Sequence, residues 1–191
     1  MDVTTSRVGI VGSGSWATAI AKMVLINEDH IYWYFRNPEH IEQFKKNKHN
    51  PNYLQSVRFD TDKITFSSDI NEVVENSDSL IFANPSAFLK DVLTGLKHPL
   101  SEKFLVSAIK GLVSDENMVV GSYFHKIHNV PLNQIAVISG PCHAEEVALE
   151  RLSYLTVACQ DIKRAREFSG KLQCNFIKVT ISDDIYGTEY S

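Results

Sequence analysis

A glycine-rich turn near the start of the chain has the residue types of a phosphate-binding loop. Gly12-Ser13-Gly14-Ser15-Trp16-Ala17 follows the apolar run Val8 to Val11 and precedes a segment rich in Ala, Ile and Val. Gly12 permits a tight turn, Gly14 lets a pyrophosphate approach the backbone, and small Ala17 lets the helix pack closely on the sheet. The helix start adds free N–H groups and a positive dipole end. The turn predicts dinucleotide binding, although a purely structural strand-to-helix turn has the same pattern.

The next predicted strand, HIYWYF (30–35), ends without the acidic residue that is typical of NAD sites. That residue usually lies about 20 residues after the turn and binds the ribose hydroxyls. Arg36 stands there instead, and it could stack on adenine and accept a 2'-phosphate. We therefore expect NADPH to be accepted as well as NADH. An exposed arginine without a ligand is the alternative, and Trp33 and Tyr34 are predicted to be core residues.

Three later loops follow predicted strands, and ligands of parallel sheets bind where strands end. The loops are NPSAF (84–88), SAIKGL (107–112) and SGPCHAEEV (139–147), which should surround one crevice. Lys110 is the candidate for chemistry, because an ammonium beside a carbonyl oxygen stabilises the charge that develops when a hydride arrives. It could equally be a solvated lysine. Phe88 is expected to pack toward the nicotinamide half of a cofactor, or else in the core.

The last loop also predicts a helix start at Gly140-Pro141, with Pro141 at the first helical position and acidic residues in the opening turns. Cys142 and His143 suggest a nucleophile and its base, but neighbours on a helix point about 100° apart, so we reject this pair.

His125 and His128 lie three apart on a predicted helix and could chelate a metal. No third ligand is evident, so we expect surface histidines and no metal site.

Apolar runs predict strands at 8–11, 30–35, 64–66, 79–84, 104–109, 135–139, 154–158 and 176–180. Segments of helical character separate them, including 16–26, the stretch from Asn37-Pro38, and 69–75. Strands that alternate with helices and are apolar on both faces indicate a parallel sheet covered on both sides. We therefore predict a doubly wound α/β fold, Rossmann-like, with a mostly parallel sheet, and one dinucleotide-binding domain over 1–191.

The composition excludes several classes of partner. The 191 residues are 43% hydrophobic, enough for one domain core, and the net charge of -4 provides no basic surface for nucleic acid or anionic membranes. No apolar run approaches the roughly 18 residues of a membrane span. Three cysteines without framework spacing indicate reduced thiols. We expect a soluble, cytoplasmic protein.

Taken together, these motifs resemble the N-terminal part of NAD(P)-dependent glycerol-3-phosphate dehydrogenases. GSGSWATAIA, WYFRNPEHIE, NPNYL, NPSAF, SAIKGL, ISGPCHAEEVA and YGTEYS stand in the family's order and spacing. The glycine turn is common to many oxidoreductases, whereas IKGL followed by SGP.HAEE is far more specific.

The resemblance implies roles for individual residues. Cofactor contacts are expected at Ser15, Trp16, Arg36, Lys110 and Ala144, in addition to Gly12, Gly14 and Phe88. Substrate contacts are expected at Lys110, Gly140 and Cys142. Most relatives carry Ser or Thr where this chain has Cys142, which weakens a side-chain hydrogen bond but not a contact to the backbone N–H.

The resemblance also implies the reaction: reversible hydride transfer between NAD(P)H and dihydroxyacetone phosphate, giving sn-glycerol 3-phosphate for glycerophospholipid synthesis. In the family the proton donor is a lysine shortly after the segment that matches GTEYS, followed by a helical substrate domain. Both are expected to lie beyond Ser191, so residues 1–191 alone should be inactive and Lys110 acts as electrostatic stabiliser. A homodimeric full-length enzyme is implied.

Two other functions remain open from the sequence. One is a related dehydrogenase acting on a 3-hydroxy acid or keto acid, against which IKGL and SGP.HAEE argue. The other is a non-catalytic module that senses NAD(H). Such a module would need neither Lys110 nor the distal helix start, and would more often carry an acid after the second strand.

Overall fold

The computed structural model describes residues 6–190. Residues 1–5 and Ser191, which belong to the predicted domain, lie outside the described residues. The strands are β1 (Val8–Val11), β2 (Ile31–Tyr34), β3 (Ile64–Ser67), β4 (Ser79–Phe82), β5 (Phe104–Ser107), β6 (Leu112–Val113), β7 (Met118–Val119), β8 (Ile135–Ser139), β9 (Ser153–Cys159) and β10 (Ile177–Ser182). The helices are α1 (Ser15–Asn27), α2 (Pro38–Asn47), α3 (Ile70–Glu75), α4 (Leu89–Leu93), α5 (Val120–His128), α6 (Ala144–Ala148), α7 (Ile162–Leu172) and α8 (Ile185–Glu189).

Eight strands form one sheet in the order β10-β9-β8-β5-β4-β1-β2-β3. All neighbours are parallel except β8 and β9, which pair antiparallel. Helix α6 has only 5 residues, or about 8 Å, so it cannot carry the chain back along the sheet, and β9 starts at the edge where β8 ends. The predicted mostly parallel sheet is confirmed.

Hydrophobic side chains pack on both faces of the sheet. Helices α1, α2, α6 and α7 cover one face, and α3, α4 and α5 cover the other. In β4, Ile81 joins the first core cluster while Leu80 and Phe82 join the second, as the alternation of side chains along a strand requires. The predicted doubly wound arrangement is therefore confirmed. Trp33 and Tyr34 are core residues, as predicted.

The structure differs from the sequence interpretation in two local features. The predicted helix start at Gly140-Pro141 is wrong, because α6 begins at Ala144, after an irregular turn, with His143 as its N-cap. The acidic residues Glu145 and Glu146 do lie in its first turn. The hairpin of β6 and β7 directly follows Lys110 and was not predicted, since two-residue strands have too little pattern to detect.

Candidate cofactor-binding site

The glycine turn connects β1 to α1 and lies against the loop after β4. Gly12 has a φ of 124°, and a Cβ there would lie 2.9 Å from the carbonyl atoms of Ala83. Gly14 has an ordinary φ of -77°, and a Cβ added to it would meet nothing within 4 Å. Gly12 is therefore required by the fold, whereas the free space at Gly14 is available to a ligand.

The N-terminus of α1 has no neutralising group of its own. Its N-cap Gly14 has no side chain, and its first turn carries no acidic residue. By contrast, α2, α3 and α7 are capped by Asn37, Asp69 and Asp161. Helix α1 has 13 residues, so a partial positive charge and unpaired N–H groups remain at this end. This arrangement fits an anionic group such as a pyrophosphate.

The loops after β1, β4, β5 and β8 surround one crevice of about 540 Å³, as predicted. Among the predicted site residues, the crevice brings together Gly14, Ser15, Trp16, Lys110, Gly140, Cys142 and Ala144. Four parallel strands end side by side here, which explains how residues more than a hundred positions apart meet.

Tyr53 also lines this crevice, and the sequence interpretation missed it. Tyr53 is 45% exposed and lies three residues after Asn50, which is only 1% exposed. The Asn50 side chain accepts hydrogen bonds from the backbone N–H groups of Asn52 and Tyr53, at 3.0 and 3.2 Å. Asn followed by Pro51 is a recognisable turn signal that could have identified this loop.

Lys110 is exposed and stands between two cavities. Besides the crevice, it lines a second cavity of about 340 Å³ together with Ser139, Thr188 and Glu189. Burial raises the pKa of Glu189 above its ordinary value, and the backbone N–H of Gly121 at the start of α5 donates to it at 2.9 Å. Because Lys110 lines both cavities, its ammonium can reach a molecule bound beside the glycine turn or beside α8.

Arg36 and Phe88 form an exposed pair after β2 and β4. The guanidinium carbon of Arg36 lies 5.7 Å from the centre of the Phe88 ring, within the range of a cation–π contact. Phe88 is 46% exposed. The alternative that Phe88 packs in the core is therefore wrong. Its ring is in contact with Arg36, and the expectation that it packs toward the nicotinamide half of a cofactor stays a prediction.

Gly140 and Cys142 hold the start of α6 against β9. Gly140 has a φ of 138°, and a Cβ there would lie 2.7 Å from the carbonyl oxygen of Tyr154. The backbone N–H of Cys142 donates to the Gly140 carbonyl at 2.9 Å. The Cys142 N–H thus already has a partner within the turn. Burial raises the pKa of the Cys142 thiol, which argues further against a nucleophile.

The two histidines of α5 have structural surroundings. His125 Nδ1 lies 2.8 Å from the Val130 carbonyl oxygen. His128 packs against Tyr123 and Phe124, and burial lowers its pKa. The two histidines are thus more buried than the sequence predicted, since both were expected on the surface. Across residues 6–190, no three His, Cys, Asp or Glu side chains lie together as metal ligands.

None of the helices within residues 6–190 is long and apolar enough to cross a membrane. Cys142, Cys159 and Cys174 are all free thiols.

Solved structures with the same fold include glycerol-3-phosphate dehydrogenases. That of Plasmodium falciparum superposes with a TM-score of 0.84 at 25% identity, covering 94% of this chain and 53% of the other. That of Coxiella burnetii has a TM-score of 0.83 at 22% identity, covering 96% and 56%. The second supports the fold only.

Sequence comparison identifies the family. A curated glycerol-3-phosphate dehydrogenase (NAD(P)+) from Pseudomonas syringae pv. tomato is 32% identical over 188 residues, covering 97% of this chain and 54% of the relative. The chain thus spans about half the length of the curated relatives it matches. The family model described as NAD-dependent glycerol-3-phosphate dehydrogenase N-terminus matches residues 7–165. The chain therefore belongs to the family of NAD-dependent glycerol-3-phosphate dehydrogenase N-terminal domains.

Proposed function

We propose that this chain is the cofactor-binding part of an enzyme that reduces dihydroxyacetone phosphate to sn-glycerol 3-phosphate with NAD(P)H. The observation that carries the proposal is the crevice that joins the uncapped α1 N-terminus to Lys110. One part of the crevice suits a pyrophosphate, and Lys110 would supply an ammonium to the reacting oxygen of a substrate bound beside it. The family to which the chain belongs supports this substrate.

Each group of residues that lines the crevice would have its own role in binding or catalysis. The turn from Gly12 to Trp16 would hold the pyrophosphate through backbone N–H groups, and Ala144 would line the opposite wall. The bound nicotinamide supplies the hydride. Lys110 would attract the substrate and stabilise the negative charge that develops on its carbonyl oxygen. Gly140 and Cys142 would shape the substrate side of the crevice, so that substrate contacts come from their surface more than from the Cys142 N–H.

Catalysis by the full-length protein tests this function. We expect cofactor oxidation that depends on dihydroxyacetone phosphate and falls by at least a hundredfold in Lys110→Ala, since one electrostatic contact of this kind contributes about 10²–10³ in kcat. Lys126→Ala on α5, outside the crevice, is the matched control and should keep wild-type activity. Activity that survives Lys110→Ala would show that Lys110 is a solvated surface lysine without a role in the reaction. Cofactor binding without turnover of this substrate would favour a related dehydrogenase or an NAD(H) sensor.

Residues 1–191 without further sequence should bind NAD(P)H and show no turnover, because the proposed general acid and phosphate-binding domain lie elsewhere in the enzyme. Reduction of dihydroxyacetone phosphate by this chain alone would contradict that division.

Arg36 supports acceptance of NADPH, because the residues directly after β2 include this arginine and no carboxylate of the kind that would repel a 2'-phosphate. We expect the affinities for NADPH and NADH to be comparable, and Arg36→Gln to weaken NADPH about tenfold more than NADH. Titrating both cofactors into wild type and variant measures this. A strong wild-type preference for NADH would contradict the assignment.

The proposed setting is the cytoplasm, supported by the three free thiols, and the proposed assembly of the full-length enzyme is a homodimer, supported by the family resemblance. Sedimentation of the full-length protein measures the latter.

A further inference from the structure

Asn50 connects two walls of the crevice through its side chain alone. It lies in the polar loop after α2 and is buried to 1% exposure. Its Nδ2 donates to the Ser13 carbonyl at 3.0 Å and to Thr18 Oγ1 at 2.8 Å. Its Oδ1 accepts from the two backbone N–H groups of the Tyr53 loop, at 3.0 and 3.2 Å. Two donated and two accepted bonds use the full capacity of an asparagine amide.

The bonds to the glycine turn fix the direction of its peptide groups. In a trans peptide the C=O and the following N–H point in opposite directions. The bond from Asn50 to the Ser13 carbonyl therefore turns the N–H of Gly14 away from Asn50. Thr18 does the same for the next peptide, since its Oγ1 donates to the Gly14 carbonyl at 2.8 Å and its N–H at 3.0 Å.

The N–H groups turned away in this manner belong to Gly14 and Ser15, and both residues line the crevice. The space beside Gly14 is open. Thr18 is itself fully buried, so neither anchoring side chain can exchange its partner for water. The anchors thus hold the carbonyl oxygens, which would repel an anion, on the protein side of the turn.

The remaining bonds of Asn50 hold the Tyr53 loop. By accepting from the N–H groups two and three residues ahead, the side chain forms an Asx turn that positions Tyr53 at the crevice. One amide thus sets both the phosphate-binding turn and the position of Tyr53 beside it.

We propose that Asn50 and Thr18 are positioning residues for dinucleotide binding, which aim the Gly14 and Ser15 N–H groups at the cofactor pyrophosphate. This inference rests on the proposed function and deepens it, because it assigns the orientation of the pyrophosphate-binding N–H groups to two buried side chains that do not touch the ligand themselves. The pair acts on the phosphates and not on the adenosine end at Arg36.

Two nearly isosteric variants test the inference in the chain itself. Asn50→Asp at pH 8 keeps an acceptor for the Asx turn but loses both donated bonds, and Thr18→Val loses only the hydroxyl. We expect the affinity for NADPH, measured by fluorescence titration, to fall about tenfold or more in the first and about threefold or more in the second. Adenosine 2'-monophosphate has no pyrophosphate, and its affinity, measured by NMR titration, should change less than twofold.

Asn27→Asp is the matched control, because Asn27 Nδ2 also donates to two carbonyls, those of Lys171 and Gln173, at 3.1 Å each. It lies at the other end of α1, about 20 Å from the turn, and should leave NADPH affinity unchanged. Thr18→Ser keeps the hydroxyl and should bind like wild type, which a general packing defect would not predict.

Unchanged NADPH affinity in both test variants would overturn the inference and leave the proposed function standing. Equal losses for NADPH and adenosine 2'-monophosphate would also overturn it, because they would indicate a general collapse of the site. A wild-type chain that binds neither NADPH nor NADH would overturn the proposed function, and the inference with it.

Discussion

Gly14→Ala should separate cofactor binding from folding. The residue has a φ of -77°, which alanine adopts readily, and a Cβ there meets nothing within 4 Å. Alanine is a poorer N-cap than glycine by about 0.5–1 kcal/mol. It also restricts the unfolded chain, which stabilises the protein by about 0.4–1 kcal/mol. These effects nearly cancel, so the melting temperature should stay within about 2–3 °C of wild type.

The added methyl group of Gly14→Ala would nevertheless occupy the space that a pyrophosphate needs. We expect NADPH affinity to fall at least tenfold, because the phosphate would be displaced from the helix N-terminus and lose charge-assisted hydrogen bonds of about 1.5–3 kcal/mol. Fluorescence titration and thermal unfolding monitored by circular dichroism measure the two quantities on the same samples.

Gly12→Ala is the contrasting variant, two residues away. Its φ of 124° strains any side-chain-bearing residue by about 1–2 kcal/mol. Its Cβ would lie 2.9 Å from backbone atoms of Ala83, an overlap that costs about 1–3 kcal/mol. The free energy of unfolding should fall by about 2–5 kcal/mol. Wild-type NADPH affinity in Gly14→Ala would refute the assignment of the turn to the pyrophosphate, and a wild-type melting temperature in Gly12→Ala would refute the steric argument.

Three further predictions concern stability. Gly140→Ala should cost about 2–5 kcal/mol, because its Cβ would lie 2.7 Å from the Tyr154 carbonyl oxygen at a φ of 138°; chemical denaturation measures this, and a loss below about 1 kcal/mol would contradict it. Trp33→Phe should cost about 2–4 kcal/mol in the same assay, because the buried indole N–H donates to the Gly12 carbonyl at 2.7 Å; a neutral result would show that water replaces that donor. Burial lowers the pKa of His128 below its unfolded value of about 6.5, so the stability present above that pH is lost as the pH falls toward the folded pKa. The variant His128→Gln should therefore show a smaller fall of melting temperature between about pH 7 and 5 than wild type. Equal pH dependence of the two proteins would exclude protonation of His128 as the cause of the fall.

Much of the site was predictable because it depends on local chemistry. Gly12 and Gly14 identify a strand-to-helix turn from their immediate neighbours in the sequence. Lys110 is likewise identified as a residue at the end of a strand, because it directly follows an apolar run. The alternation of strands and helices then requires a parallel sheet, which brings strand ends to one edge. From these facts the crevice and most of its lining follow.

The remaining features depend on which groups meet in space. Phe88 stands beside Arg36 because β4 and β2 flank β1, and nothing in NPSAF indicates that neighbour. The motif SGPCHAEE predicts a helix start at Gly140-Pro141, whereas the chain first forms a turn in which the Cys142 N–H donates to the Gly140 carbonyl.

Asn50 shows the same limit most clearly. In the sequence it is one asparagine in a polar loop, and the Asx turn formed by its Oδ1 could be inferred from the following Pro51. The hydrogen bonds that its Nδ2 donates go to Ser13 and Thr18, which are more than 30 positions away. The sequence by itself determined the elements, their alternation and the glycine turn, because those depend on neighbouring residues. Only the tertiary structure decided which buried amide orients that turn, because a hydrogen bond between distant segments exists only after the sheet has brought them together.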